Sequence, residues 1–100
     1  MADNETPERD MRAEVKIELD FPVEIDGRTI TEITMRRPKG KDNLLASKAK
    51  GNDLEKGIAL FAQLTGEPPE VLLELDEVDL EKLGTQHTAF TARQTGATAS

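Results

Sequence analysis

Apolar and charged residues alternate near the start of the chain. Val15, Ile17, Leu19 and Phe21 alternate with charged residues, so they share one face of a predicted strand. Such a strand has one buried and one solvated face. The alternation continues past Pro22, which lacks a backbone N–H and therefore predicts either an edge position or a kink.

A turn motif separates this strand from a second one. Asp26-Gly27 favours a type I′ turn, because both central residues of that turn have positive φ. The return strand is predicted over residues 28–36. Ile33 and Ile30 lie at positions of opposite parity, which indicates either a bulge or a second contact for Ile30.

The second half of the chain has the helical period instead. Asp42 is predicted to cap a short helix over residues 43–50, and Asn52 with Glu55 forms a capping-box pattern for the next helix. Gly66 is predicted to end that helix. Its apolar stripe is predicted to be core: Leu54, Ile58, Phe61 and Leu64.

Two further helices are predicted after Gly66. Pro69 suits the first turn of one helix, and Asp76 can start or restart another. The alternative is one continuous helix over residues 69–92. The last helix carries a stripe of four residues at helical spacing: Leu80, Leu83, His87 and Phe90. The predicted fold class is α+β, an N-terminal antiparallel β-hairpin followed by three to four short helices that cover its apolar face.

The composition bounds the domain organisation. We expect a disordered tail over residues 1–12, a single α+β domain over residues 13–92 and a flexible tail over residues 93–100. Hydrophobic residues make up 36% of the chain and include three Phe, so the core is thin, and oligomer formation or partner binding would bury more apolar surface. No apolar run is long enough to span a bilayer, and the polar, acidic N-terminus does not resemble a secretory signal.

Charge is distributed unevenly along the chain. The net charge is −7, residues 36–50 hold six bases and one acid, and residues 67–83 hold seven acids and one base. The overall sign argues against non-specific affinity for nucleic acid or anionic membrane. The basic run is the best candidate binding site: Arg36, Arg37, Lys39 and Lys41. It is either a solvated loop, a phosphate-binding patch, or a contact for an acidic surface such as residues 67–83 of another copy.

No catalytic residue, cofactor site or metal site is predicted. The chain has no Cys and one His, and His87 is interpreted as a partly buried packing residue. Asp76 and Asp79 are interpreted as solvated carboxylates near helix starts. Three apolar residues of the last helix form a second candidate binding site: Leu80, Leu83 and Phe90. They are either part of the core or, if that helix detaches from the domain, a surface that binds an amphipathic partner helix.

The order and spacing of several short motifs resemble the small tail assembly chaperones of Mu-like contractile-tailed phages. The resemblance covers residues 15–90. After the alternating stretch and Asp26-Gly27, it rests on these residues: Arg37-Pro38, Asp42, Leu44, Leu60-Phe61-Ala62-Gln63-Leu64, Pro69-Glu70, Leu75, Asp79-Leu80 and Leu83.

The resemblance implies a non-enzymatic helper of phage or prophage tail morphogenesis. Such a helper acts in the bacterial host cytoplasm, is absent from the mature virion, binds the tape measure protein and brings tail tube protein to it. It implies no residue-level binding site. The alternative function is a small nucleic-acid-binding or transcription accessory module that uses residues 36–41, and a structural tail component that stays in the particle is a further rival.

Overall fold

The computed structural model describes residues 10–92, which begin with a two-stranded antiparallel hairpin. Its strands are β1 (Glu14–Ile25) and β2 (Arg28–Arg36). Between them, Asp26 has a φ of 53° and Gly27 a φ of 76°. Both values are positive, as a type I′ turn requires, and the predicted hairpin is confirmed.

A bulge interrupts the pairing of the two strands. Ile17 pairs with Ile33 on one side of it, and Val23 pairs with Ile30 on the other. The shift brings Ile30 to the same face as Ile33, and their side chains are 5% and 2% exposed. Of the two predicted alternatives, the bulge is therefore the correct one. The same bulge leaves Phe21 55% exposed, so its predicted place among the buried residues of β1 was wrong.

Helices make up the rest of the described chain. In order they are α1 (Gly40–Ser47), α2 (Asp53–Thr65), α3 (Pro69–Glu74) and α4 (Glu77–Thr91). At the break between α3 and α4, the Asp76 carboxylate accepts a hydrogen bond from the Val78 N–H at 2.9 Å. The continuous helix is thereby excluded, and the predicted α+β class, with the hairpin first, is confirmed.

The helix ends show where local sequence decides structure. The Asn52 carboxamide accepts from the Glu55 N–H at 2.9 Å, and the Glu55 carboxylate accepts from the Asn52 N–H at 2.8 Å, which confirms the capping box. Gly66 ends α2 with a φ of 74°, as predicted. The bounds of α1 were wrong, because that helix begins at Gly40 and Asp42 lies inside its first turn.

The core lies between the apolar face of the hairpin and the helices. α2 packs on β2, α3 and α4 pack on β1, and α1 packs on α2. The predicted cover of the hairpin is therefore correct. The most deeply buried apolar side chains of the core come from both the hairpin and the helices: Ile33, Met35, Leu72, Leu83 and Phe90. Leu54 was predicted to be core, but this is wrong, because its side chain is 68% exposed in the first turn of α2.

The predicted tails fall largely beyond the described residues. Positions 1–9 and 93–100 lie outside them. Within the described part, the Asp10 N–H donates to the Ala89 carbonyl at 2.8 Å, and the Asp10 carboxylate accepts from the Gln86 amide at 2.8 Å. The chain just before β1 therefore contacts α4.

Candidate functional site

Arg36, the first member of the predicted basic site, is occupied by an internal ion pair. Its guanidinium donates two hydrogen bonds to the Asp42 carboxylate, each of 2.8 Å. Asp42 has no exposed surface and also accepts from the Lys39 N–H at 2.8 Å and from the Gln63 amide at 3.2 Å. The hydrogen bonds from Arg36 hold the pKa of Asp42 well below its usual range, against the effect of burial. This bidentate pair joins β2, α1 and α2.

Arg37 is also turned inward. Its side chain donates to the Arg12 carbonyl at 3.1 Å and to the Phe90 carbonyl at 3.2 Å. Its guanidinium carbon lies 4.9 Å from the centroid of the Phe90 ring, a cation–π distance. A cation at the last carbonyls of α4 also complements the helix dipole. Arg37 therefore fastens the end of α4 to the hairpin.

Lys39 and Lys41 differ from the two arginines because they are exposed. The four residues of the basic run are thus not brought together as one cationic surface. Two of them hold the fold, and two point to solvent. Binding of a partner by this run stays a prediction that now concerns Lys39 and Lys41.

The apolar stripe of α4 lies mostly in the core. Leu83 has no exposed surface, Phe90 is 1% exposed and Leu80 is half-buried. His87 is half-buried, and its ring lies edge-on to the Phe61 ring at 6.3 Å. A partner therefore reaches Leu83 and Phe90 only if α4 leaves β1. Partner binding by this stripe stays a prediction.

The carboxylate of Asp79 anchors α4 to the bulge, a role that the sequence did not indicate. Asp79 has no exposed surface, and its carboxylate accepts from the N–H groups of Asp20 at 2.7 Å and Phe21 at 3.0 Å. The Lys82 ammonium lies 3.4 Å away. Burial raises the pKa of Asp79, but these hydrogen bonds outweigh it and leave the pKa below its usual value. The prediction that this carboxylate is solvated was wrong.

One accessible apolar surface is a shallow groove between the starts of α2 and α4. Its volume is about 510 Å³. Leu54 and Val78, which are 68% and 45% exposed, line it together with Leu80. Glu77 and Glu81 are also part of its lining. The groove therefore combines apolar side chains with negative charge, an arrangement suited to a helix with an apolar face and basic flanks.

The described residues do not assemble a metal centre. Within residues 10–92, no group of three or more His, Asp or Glu side chains is placed to hold an ion. Over the same range, none of the helices has the length and hydropathy needed to cross a bilayer.

Comparison with known proteins adds the identity that geometry alone does not supply. Curated proteins and solved structures give no significant match. A family model described as "Phage tail assembly chaperone proteins, E, or 41 or 14" matches residues 16–92. The match begins at the third residue of β1 and ends just after α4, so it includes most of β1, all of β2 and all four helices of the described residues. The chain therefore belongs to the family of phage tail assembly chaperone proteins.

Proposed function

We propose that this protein binds the tape measure protein of its phage and assists assembly of the tail tube around it. The family match over residues 16–92 carries the proposal. The protein acts in the cytoplasm of the bacterial host as a non-enzymatic assembly factor, handles tape measure protein and tail tube protein, and does not remain in the mature virion.

The physical chemistry of the chain suits that role. A tape measure protein is a long helical chain whose apolar faces are exposed before the tube encloses it, and such surfaces aggregate. This protein has apolar side chains on its surface, at Leu44, Leu45 and Leu54 among others. Its net charge of −7 would keep a complex soluble while those side chains cover the tape measure.

The α4 stripe offers a second surface for the same partner. Leu80 is half-buried at the groove, whereas Leu83 and Phe90 become available only if α4 separates from β1. Hydrogen exchange with and without the tape measure tests this. Faster exchange of α4 amides in the complex supports opening, whereas unchanged or slower exchange assigns binding to the exposed side chains.

Co-expression tests the main proposal. The tape measure protein is produced alone, with this chain, and with a Leu44→Glu/Leu45→Glu variant. We expect the intact chain to raise the soluble fraction several-fold and the variant to raise it less. A tape measure that is equally insoluble with and without the intact chain would contradict the proposal.

Mass spectrometry of purified virions separates a helper from a structural component, since a helper is missing from the particle.

The alternative function in nucleic-acid binding has less support from the geometry. Arg36 and Arg37 are engaged within the fold, and Lys39 and Lys41 are the exposed members of the run. Titration of DNA and RNA at low salt decides the question, because phosphate contacts are strongest there. Absence of binding at low salt removes this alternative.

A further inference from the structure

Helix α1 presents two neighbouring leucines to solvent. Leu44 and Leu45 are 57% and 51% exposed. The residues that α1 buries are Asp42 and Ala46, which are four positions apart and lie on its other face. A single exposed leucine is ordinary on a protein surface, but two on an eight-residue helix form a small apolar ridge.

Exposed positive charge flanks this ridge on both sides in the sequence. The exposed lysines nearest to it in sequence are Lys39, Lys41, Lys48 and Lys50. None of the four forms a salt bridge with another described residue. Because Asp42 is buried against Arg36, no acid of α1 offsets this charge at the surface. The segment over residues 39–50, which contains α1, is therefore basic at its surface and carries an unpartnered apolar ridge.

The groove at the starts of α2 and α4 has the opposite character. Leu54, Val78 and Leu80 supply its apolar part, and Glu77 and Glu81 supply negative charge. The first turn of α2 adds the exposed acids Asp53 and Glu55 nearby. Leu54 and Val78 stay exposed in the folded chain, so α1 of the same chain does not cover them.

We propose that the groove of one copy receives the leucine ridge of α1 from a second copy. Both surfaces are apolar at their centre, and the lysines within and beside α1 are opposite in charge to the acids of the groove, which favours this pairing. The two surfaces differ, so the contact is heterologous. Successive copies then form either a closed ring or an open chain.

The size of the contact sets its strength. One eight-residue helix in a shallow groove buries less surface than a permanent dimer requires, so the association is weak and depends on concentration. This inference concerns the purified protein and does not depend on binding of the tape measure. Failure of one proposal therefore leaves the other standing.

Sedimentation equilibrium of the full chain tests the inference. We expect the weight-average mass to rise at least twofold as the concentration increases from about 10 μM to about 1 mM, as for a weak, transient interface. The rise should be smaller at 1 M salt than at 0.1 M salt, because salt screens exposed charges. A mass of 11.0 kDa at every concentration would overturn the inference.

Two variants locate the contact. Leu45→Glu disables the ridge, and Val78→Lys disables the groove; both positions are exposed, so circular dichroism should show an unchanged fold. Each variant alone should remain monomeric. A mixture of the two retains one intact ridge and one intact groove, and should give a 1:1 dimer that does not grow further.

A matched control uses Leu73, which is 67% exposed on α3 and is not part of the groove. Leu73→Glu should self-associate like the unsubstituted chain. Self-association that survives both Leu45→Glu and Val78→Lys, or that Leu73→Glu abolishes equally, would show that another surface is responsible and would overturn the proposal.

Discussion

Two buried aspartates connect segments that are distant in sequence. Asp42 joins α1 to Arg36 of β2 and to Gln63 of α2, while Asp79 joins α4 to the bulge of β1. A buried carboxylate is tolerated when its oxygens are paired and hydrogen-bonded. Both aspartates satisfy that condition, and both therefore specify how the helices sit on the hairpin.

Removal of the Asp79 carboxylate should be among the most damaging single changes. Asp79→Ala leaves the N–H groups of Asp20 and Phe21 without their acceptor, and we expect a loss of about 3 kcal/mol of unfolding free energy. Asp79→Asn keeps one acceptor oxygen and should cost about half as much. Urea denaturation measures both. As a control, Asp76→Ala removes an exposed helix cap and should cost about 1 kcal/mol. Equal losses for Asp79→Ala and Asp76→Ala would contradict the anchoring role.

The Arg36–Asp42 pair should show an asymmetric response. Arg36→Met leaves a fully buried carboxylate without its cation, whereas Asp42→Asn leaves an arginine whose side chain is 38% exposed and can reach water. We therefore expect Arg36→Met to cost about 3 kcal/mol and Asp42→Asn less. In a double-mutant cycle, the combined variant should lose less than the sum of the two. Additive losses would show that the pair contributes no coupling.

At the scale of helices and strands, local signals predicted much of the structure. Three features depend only on residues close in sequence: the type I′ turn, the capping box of α2 and the glycine that ends α2. Their sequence patterns therefore predict them without knowledge of tertiary contacts. Asp42 shows where prediction from local sequence fails. It was predicted to cap α1 because aspartate favours that position, but Arg36 draws its carboxylate into the core and the helix begins earlier.

The buried ionic contacts and the exposed groove were harder to predict, because they depend on tertiary contacts between residues distant in sequence. The contact from Asp79 to Asp20 joins residues 59 positions apart, and no local pattern reports such a pairing. Arg36 and Arg37 looked like a surface run because two adjacent cations usually are solvated. The exposed groove was also missed, because the helical period that placed Leu54 in a stripe does not show which residues of α4 lie beside it.

Glycines within the helices offer a test at this scale. A Cβ at Gly57 or at Gly84 would meet no atom within 4 Å apart from the local backbone of its own helix. Gly84→Ala should therefore stabilise α4 by about 0.5–1 kcal/mol through helix propensity. Gly66→Ala should instead destabilise by about 1 kcal/mol, because its φ of 74° disfavours a side chain. Thermal unfolding compares the two. A loss of stability in Gly84→Ala would show that neighbouring atoms lie closer to position 84 than 4 Å.

At the scale of the whole molecule, stability should depend on acid pH. Because the core is thin, we expect a small net free energy of unfolding. Buried ionic contacts therefore account for a large share of it. Asp42 and Asp79 both have pKa values below the usual range in the fold. Their contribution is therefore present above the unfolded-state pKa of about 3.9 and is lost as the pH falls through the acid range.

We expect the free energy of unfolding to change little between about pH 7 and pH 5 and to fall below about pH 4, each of the two carboxylates adding up to about 1.4 kcal/mol per pH unit. Urea denaturation across this range measures the slope. The combined Arg36→Met/Asp42→Asn variant and the Asp79→Asn variant should each have a shallower slope than the unsubstituted chain, because each lacks one of the two titrating groups. If both variants retain the full slope, the acid sensitivity arises elsewhere, and the two aspartates do not link the hairpin to the helices through their charge.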